Sequence, residues 1–343
     1  MSQNFWKFAP QLMEDQRNIK LKLSNPQDIV ILSHRNPDGD AVGSTVALAR
    51  FLKKGNHAIK IIYPSEYPAV FQYLIDSNNP PIIYDLAPQQ CIEAIKSAGL
   101  IFLLDFNSLD RIDKMGETVM FSNAYKVLID HHIDPEPIAD VILSDTAASS
   151  TSEMVYLFIK DLGMADRLDT SIGEALFTGI ITDTGSFRYS TRGLTYQIAG
   201  ELKSMGVDDY ALSNTIFNAL EPKNLKLLGH CLANRMVLLL EHKAAYIYLT
   251  KEDYTQFGIS RGDTEGIVNY LLMMKDVSVA ALITEQPTII KISLRSKDDI
   301  NVQQLAAAHF NGGGHKNASG GSAYAKLDDV INRFIKVVPN YVK

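Results

Sequence analysis

Three short runs of nearly unbroken aliphatic residues, DIVILSH at 28–34, GLIFLLDF at 99–106 and YKVLIDHH at 125–132, each end on or next to an acidic or imidazole side chain. A strand with one face in water alternates polar and apolar residues, whereas runs this uniform suit parallel strands buried on both faces and joined by helical crossovers. HAIKIIYP supplies another such strand, and the AVGSTVALARFLKKGNH before it carries helical spacing. The pattern predicts an α/β N-terminal domain, a mostly parallel sheet with flanking helices.

Two helical patterns follow from 149 onward, SSTSEMVYLFIKDLG and TSIGEALFTGIITDT, the first opened by Ser and Thr with Glu153 close behind as in a capping box. GLTYQIAGELKSMG at 193–206 and the DDYALSNTIFNAL after it show no strand pattern. Beyond them the chain changes character. AAYIYLT, VSVAALITEQ and TIIKISLRS are strand-like, and a helix NVQQLAAAHF leads into NGGGHKNASGG, which predicts a smaller α+β domain. At 343 residues two domains are the natural expectation. They are placed at 1–190 and 229–343, with a helical linker at 191–228 and the active site in the cleft between the two domains.

Apolar residues at 46% and charged residues at 21% suit a soluble folded protein. Charge is mixed into every short window of MSQNFWKFAPQLMEDQRNIKLKL, unlike a signal peptide or a membrane span. Cys91 and Cys231 stand far apart in apolar surroundings, which suits buried thiols in a reducing compartment. A cytoplasmic protein without a membrane partner is expected. The formal net charge of −6, with no basic stripe, argues against long duplex nucleic acid as a partner. A small anionic substrate needs only a few placed cations or a metal.

In open parallel sheets, ligands collect beyond the carboxyl ends of the strands. His34, Asp38 and Asp40, then Asp105, then Asp130, His131 and His132 all fall at such ends, and Asp183 follows a helix where Gly185 permits a sharp turn. Singly each is ordinary, Asp-Gly being a common turn dipeptide. Jointly they converge on one crevice. Oxygen and imidazole donors without thiolate suit Mg²⁺ or Mn²⁺, and the mixture of carboxylates with His tilts the choice to Mn²⁺, leaving Zn²⁺ open. Four aspartates carry a charge that two divalent ions neutralise; without ions they repel one another.

SHRNPDGDAVGS at 33–44, LLDF at 103–106, IDHH at 129–132 and TDTGSF at 182–187 resemble, in the same order, the N-terminal motifs of the DHH phosphoesterases. SLRS at 293–296 and NGGGHKNASGG at 311–321 resemble the C-terminal DHH-associated domain, so the likeness spans nearly the whole chain. Within the superfamily the chain looks most like the bacterial nanoRNase and 3′-phosphoadenosine-5′-phosphate phosphatase group. The resemblance implies two Mn²⁺ per chain, with Mg²⁺ as the alternative: one held by His34, Asp38 and Asp105, the other by Asp40, Asp105, His131 and Asp183, so that Asp105 bridges. Paired ions of this kind share a water and lower its pKa toward neutrality. His132 is then expected to face the phosphate, orienting it or supporting the leaving oxygen, and Asp130 to orient a ligating imidazole.

The C-terminal motif reads as a phosphate clamp. Gly312, Gly313 and Gly314 let backbone N–H groups approach an anion closely, while His315 and Arg295, in a segment closed by Ser296, add charge-assisted donors. A clamp in one domain and metals in the other select short substrates. The partners expected are short RNA or DNA oligonucleotides or small nucleotides, and the leading activity is hydrolysis of nanoRNA and of 3′-phosphoadenosine-5′-phosphate. Cyclic or linear dinucleotides, and pyrophosphate or polyphosphate, are the alternative substrates. A non-catalytic nucleotide sensor is the competing class, against which the complete ligand set speaks; a homodimer is left open. His57, His230, His242 and His309 lack motif context and read as core or surface residues. Arg111 and Arg188 stand evenly between phosphate contacts and solvated charges, and Trp6 and the tyrosines form no aromatic ladder.

Overall fold

The computed structural model describes residues 10–218, 220–260 and 262–342, so that Trp6 lies outside the described residues. The chain divides into two compact units, Met1–Ala219 and Leu220–Lys343. In the first, α1 (Pro10–Lys22) precedes β1 (Asp28–Leu32), α2 (Gly39–Lys53), β2 (Ala58–Tyr63), β3 (Ile82–Ile83), α3 (Pro88–Ser97), β4 (Leu100–Leu104), α4 (Met115–Met120), β5 (Tyr125–Asp130) and β6 (Val141–Ser144). Then come α5 (Thr151–Asp161), α6 (Thr170–Asp183), α7 (Gly193–Ser204) and α8 (Asp209–Phe217). The strands lie in the order β3-β2-β1-β4-β5-β6 and pair in parallel throughout.

The uniform aliphatic runs have a direct cause. Ile29, Ile31, Phe102, Leu104 and Ile129 face a layer built from α2, α5 and α6, while Val30, Ile101, Leu103 and Leu128 face α3 and α4 on the other side. With helices on both faces, neither set of alternating positions meets water. Strand order reverses between β1 and β4, the position at which an open α/β sheet forms its ligand crevice.

Two glycines bring α2 and α6 into contact. A Cβ on Gly43 would stand 2.5 Å from the Ala175 carbonyl, and one on Gly179 would stand 1.9 Å from Ser152 Oγ and 2.5 Å from Asp40 Oδ1. Their absence of side chains lets the first turn of α2 approach the last turns of α6. The stretch 191–228, expected as a linker, is not a separate piece. Ile198, Leu202, Val207 and Leu212 join the first unit's core. Amphipathic helices bury their apolar stripe on the nearest apolar layer, and the division falls after Ala219.

The second unit contains α9 (Pro222–His230), β7 (Met236–Leu239), β8 (Ala244–Leu249), α10 (Lys251–Phe257), α11 (Ile267–Leu271), β9 (Val279–Glu285) and β10 (Ile290–Ser296). These are followed by α12 (Val302–His309), β11 (Gly313–Gly314), β12 (Ala318–Ala323) and α13 (Leu327–Val337). The sheet order is β11-β12-β10-β9-β8-β7, antiparallel except between β8 and β9. The glycine-rich stretch is therefore a hairpin laid against β10. Among the described residues, no helix is long and apolar enough to cross a membrane.

Candidate metal centre

His34 follows β1, and its Nδ1 lies 2.9 Å from the Arg35 carbonyl. A carbonyl only accepts, so Nδ1 carries the proton and Nε2 presents a lone pair to the cluster, 3.4 Å from Asp105 Oδ2. Asp38 is the N-cap of α2, its Oδ1 accepting from the N–H groups of Asp40 and Ala41 at 3.0 and 3.1 Å. Asp105 follows β4 with φ of +66°, a left-handed conformation that Asp tolerates better than most residues. His131 follows β5, with Nδ1 3.4 Å from the Ala148 carbonyl and Nε2 3.7 Å from Asp105 Oδ1 and 3.3 Å from Asp183 Oδ2.

The side chains expected to bind metal are thus brought together. Donor atoms of His34, Asp38 and Asp105 lie within 4.8 Å of one another, and so do those of Asp40, Asp105 and His131. Asp105 belongs to both groups and turns one oxygen toward each histidine. Asp38 is the solvent-facing member, while Asp40 and Asp105 are buried.

The electrostatics of the cluster are those of crowded carboxyl groups. Burial pushes the Asp105 carboxyl well above the usual carboxylate range, and the charges of Asp40, Asp38, Asp183 and Asp130 push it further. Asp40 is also raised, first by burial and then by Asp38, against the pull of His131 and Ser152. Burial would lower His131, but Asp183, Asp40 and Asp130 outweigh it and raise its proton affinity. Divalent ions would relieve this crowding, and the donor set of carboxylates and imidazoles suits them. Asp130 Oδ2 adds a buried oxygen without a hydrogen-bond partner.

Asp130 accepts from His132 Nδ1 at 2.7 Å, so the imidazole it orients is His132 and not one of the two facing Asp105 through Nε2. Three further groups carry no sequence motif for metals. The N–H groups of Thr151 and Ser152, at the start of α5, donate to Asp40 Oδ2 and Oδ1 at 2.6 and 2.9 Å. Thr151 Oγ1 donates to Asp105 Oδ1 at 3.0 Å. The Ser-Thr-Ser-Glu capping pattern is the sequence signal, since it marks a helix start whose N–H groups need acceptors. Arg111 stands close enough for its charge, after burial, to help lower His34, whereas Arg188 is exposed. Of the histidines left without a role, His57 is buried in the first unit, His230 bonds Asp253, His309 meets the Tyr341 hydroxyl and His242 lies 3.7 Å from Glu241.

In the second unit, Arg295 on β10 pairs with Ala318 on β12, and His315 closes the turn before it, its N–H donating to the Ala318 carbonyl at 2.8 Å. Backbone pairing thus places both Arg295 and His315 next to Ala318, and Arg295 Nη1 donates to the Leu294 carbonyl at 3.0 Å. Gly313 and Gly314 form β11. Two other expected clamp members are engaged internally. Gly312 donates its N–H to the Ala306 carbonyl, and a Cβ there would stand 2.0 Å from the Gly320 carbonyl, so its task is close packing. Ser296 Oγ donates to Ile300 O at 2.7 Å and accepts from Asn317 at 2.9 Å, which fixes the loop.

Comparison with known proteins bears on this geometry. The model described as the DHH family, N-terminal domain, matches residues 28–180, and the DHHA1 domain matches 241–343. The bifunctional oligoribonuclease and PAP phosphatase NrnA of Bacillus subtilis is 28% identical over 299 residues, covering 87% of this chain and 90% of that one. The cyclic-di-AMP phosphodiesterase PdeA of Listeria monocytogenes is 25% identical over 90% of this chain and 46% of its own length. A solved structure of an exopolyphosphatase-related protein from Bacteroides fragilis is 35% identical, covers 98% of both chains and has a TM-score of 0.92.

Proposed function

The chain belongs to the DHH family, and from that premise we propose that it is a two-metal phosphoesterase hydrolysing short oligoribonucleotides and 3′-phosphoadenosine-5′-phosphate, with Mn²⁺ as the metal. The observation that carries the reading is Asp105, a buried carboxylate common to two donor groups with one oxygen turned to each histidine. His34 and Asp38 serve one side, and Asp40, His131 and Asp183 the other. Ions bound there supply Lewis-acid polarisation of a phosphoryl group and acidify a water.

The chain's own residues do the rest. Carbonyl contacts on both Nδ1 atoms hold His34 and His131 with Nε2 inward. Asp130 holds His132, which faces the reacting phosphate and either orients it or protonates the leaving oxygen. In the second unit, Arg295 and His315 are the groups that would bind a substrate phosphate. The B. subtilis relative named for both activities supports this substrate class.

Two other readings have a specific observation behind them. The B. fragilis structure is named for exopolyphosphatases, and the L. monocytogenes relative for cyclic di-AMP. Purified protein with Mn²⁺ separates the three on 3′-phosphoadenosine-5′-phosphate, a 5′-phosphorylated RNA dinucleotide, cyclic di-AMP, pyrophosphate and a polyphosphate chain. The highest kcat/KM is expected on the first two. A preference for polyphosphate or cyclic di-AMP replaces the substrate assignment, and no turnover of any removes the enzyme reading.

A further inference from the structure

A charged cluster lies beside the candidate metal ligands without belonging to them. Glu153, in the first turn of α5, is fully buried and accepts from Ser149 Oγ at 2.7 Å, Thr195 Oγ1 at 2.6 Å and Arg192 Nε at 2.6 Å. The same guanidinium donates from Nη1 to Asp145 Oδ2 at 2.8 Å. One planar fork therefore grips two carboxylates, a geometry Lys does not reproduce.

Those carboxylates bracket segment 145–153, and this segment holds three of the proposed ligands. The Ala148 carbonyl meets His131 Nδ1, the Thr151 and Ser152 N–H groups meet Asp40, and the Thr151 hydroxyl meets Asp105. Arg192 itself stands a short way beyond a further proposed ligand, Asp183, after the left-handed residues Gly185, Ser186 and Phe187, whose φ values are 54°, 60° and 64°. Such backbone persists only where its surroundings hold it. Arg192 thus ties the turn following Asp183 to the segment that orients His131, Asp40 and Asp105.

We infer that Arg192 is a positioning residue for the metal centre: through Asp145 and Glu153 it holds segment 145–153 in the placement that orients His131, Asp40 and Asp105 for divalent ions. The inference rests on the metal-site reading above. Outer contacts of this kind typically change metal affinity by about 10- to 100-fold.

The test is calorimetric titration of metal-stripped protein with Mn²⁺. Arg192→Met alone strands a buried Glu153 charge and endangers folding, so two gentler variants are used. Asp145→Asn breaks the arm at its part-exposed end, where the side chain is 28% accessible, and leaves Glu153 paired. The double variant Glu153→Gln with Arg192→Met removes both charges together. Each is expected to weaken Mn²⁺ binding about tenfold or more while the folded metal-free protein keeps its circular dichroism. In ¹⁵N spectra the His131 Nδ1–H tautomer is expected to lose population. A merely structural role predicts the opposite: a lower melting temperature with unchanged Mn²⁺ affinity and tautomer in the folded fraction. Affinity within twofold of wild type in Asp145→Asn overturns the inference even if the double variant fails to fold. Wild-type protein that binds no Mn²⁺ overturns the metal-site reading and this inference with it; wild-type binding with unaltered variants overturns this inference alone.

Discussion

The two units treat buried carboxylates in opposite ways. In the first, Asp40, Asp105 and Asp130 are buried beside one another, with accessibilities of 1%, 2% and 0%, and burial, then the acids around it, drives the proton affinity of Asp105 up. In the second, Asp253 is as deeply buried, at 1%, but accepts both Nε and Nη2 of Arg235 at 2.8 and 2.9 Å and His230 Nε2 at 2.9 Å. Burial would raise its pKa; Arg235, the Thr250 N–H and His230 outweigh that and bring it down to about 2. A carboxylate kept for stability arrives with its cation. A cluster of carboxylates that pairs with imidazoles and with N–H or O–H groups suits added positive charge.

The largest effect that can break this comparison belongs to Asp105. Asp105→Asn keeps a residue type that tolerates the left-handed backbone but removes the shared charge. We expect kcat to fall by about a thousandfold or more, Mn²⁺ stoichiometry to drop, and the melting temperature of metal-free protein to hold or rise because like-charge repulsion is relieved. A metal-free protein that melts markedly lower makes Asp105 a stability residue like Asp253.

Asp253→Asn is the mirror experiment. Leaving Arg235 without its buried partner should cost about 3 kcal/mol in urea unfolding at pH 7, with kcat on folded protein unchanged. The folded pKa lies below the unfolded value near 3.8, so this stabilisation is present above pH 4 and fades as pH falls toward 2. The variant should lose that part of the acid dependence. Stability within 0.5 kcal/mol or so of wild type at pH 7 would show that the pair is not what compensates Asp253.

The arginines of the second unit sharpen the contrast further. Arg235 grips Asp253, whereas Arg295 is the cation proposed for substrate phosphate. Arg295→Ala is expected to raise KM about 10- to 100-fold with kcat nearly constant, matching the loss of a charge-assisted hydrogen bond. Unchanged KM on every phosphorylated substrate removes Arg295 from the site.

How much of this was legible follows the same physics. β1, β4 and β5 could be read because burial on both faces leaves an unbroken aliphatic signature, and the acids at their ends could be read because strand ends aim them at one crevice. β12 could not: Ala-Ser-Gly-Gly-Ser-Ala has no strand propensity and is extended because β10 and β11 pair with it on either side. Thr151 and Ser152 were legible as a helix start but not as partners of Asp40, which they hold through backbone N–H groups that any residue type provides. Gly312 and Ser296 have internal contacts that the motif alone does not announce: a glycine or serine beside a phosphate motif reads as a donor, and here each also serves the packing of its own loop. Helices α7 and α8 lacked a strand pattern, but absence of a strand is not a boundary; the apolar stripe decides, and theirs belongs to the first core.

The smallest effect tests whether compensation is the rule for every buried acid in the first unit. Helix α5 carries two kinds of carboxylate position. At its N-terminus the Thr151 and Ser152 N–H groups donate to the Asp40 carboxylate of α2, while Asp161 is its own last residue, where the helix dipole disfavours negative charge. Asp161 Oδ2 is buried without a hydrogen-bond partner, and burial, opposed by Lys20, raises its pKa to about 6. The folded value exceeds the unfolded value near 3.8, so the native state disfavours the ionised form, and stability is lost as pH rises from about 4 through 6. Asp161→Asn should therefore stabilise the protein by about 1 kcal/mol at pH 7.5, after discounting for its partial exposure, and by almost nothing at pH 4. Urea unfolding at the two pH values measures the difference. A gain that does not depend on pH traces to packing instead, and a loss at pH 7.5 means that the Lys20 charge, not burial, governs this end of the helix.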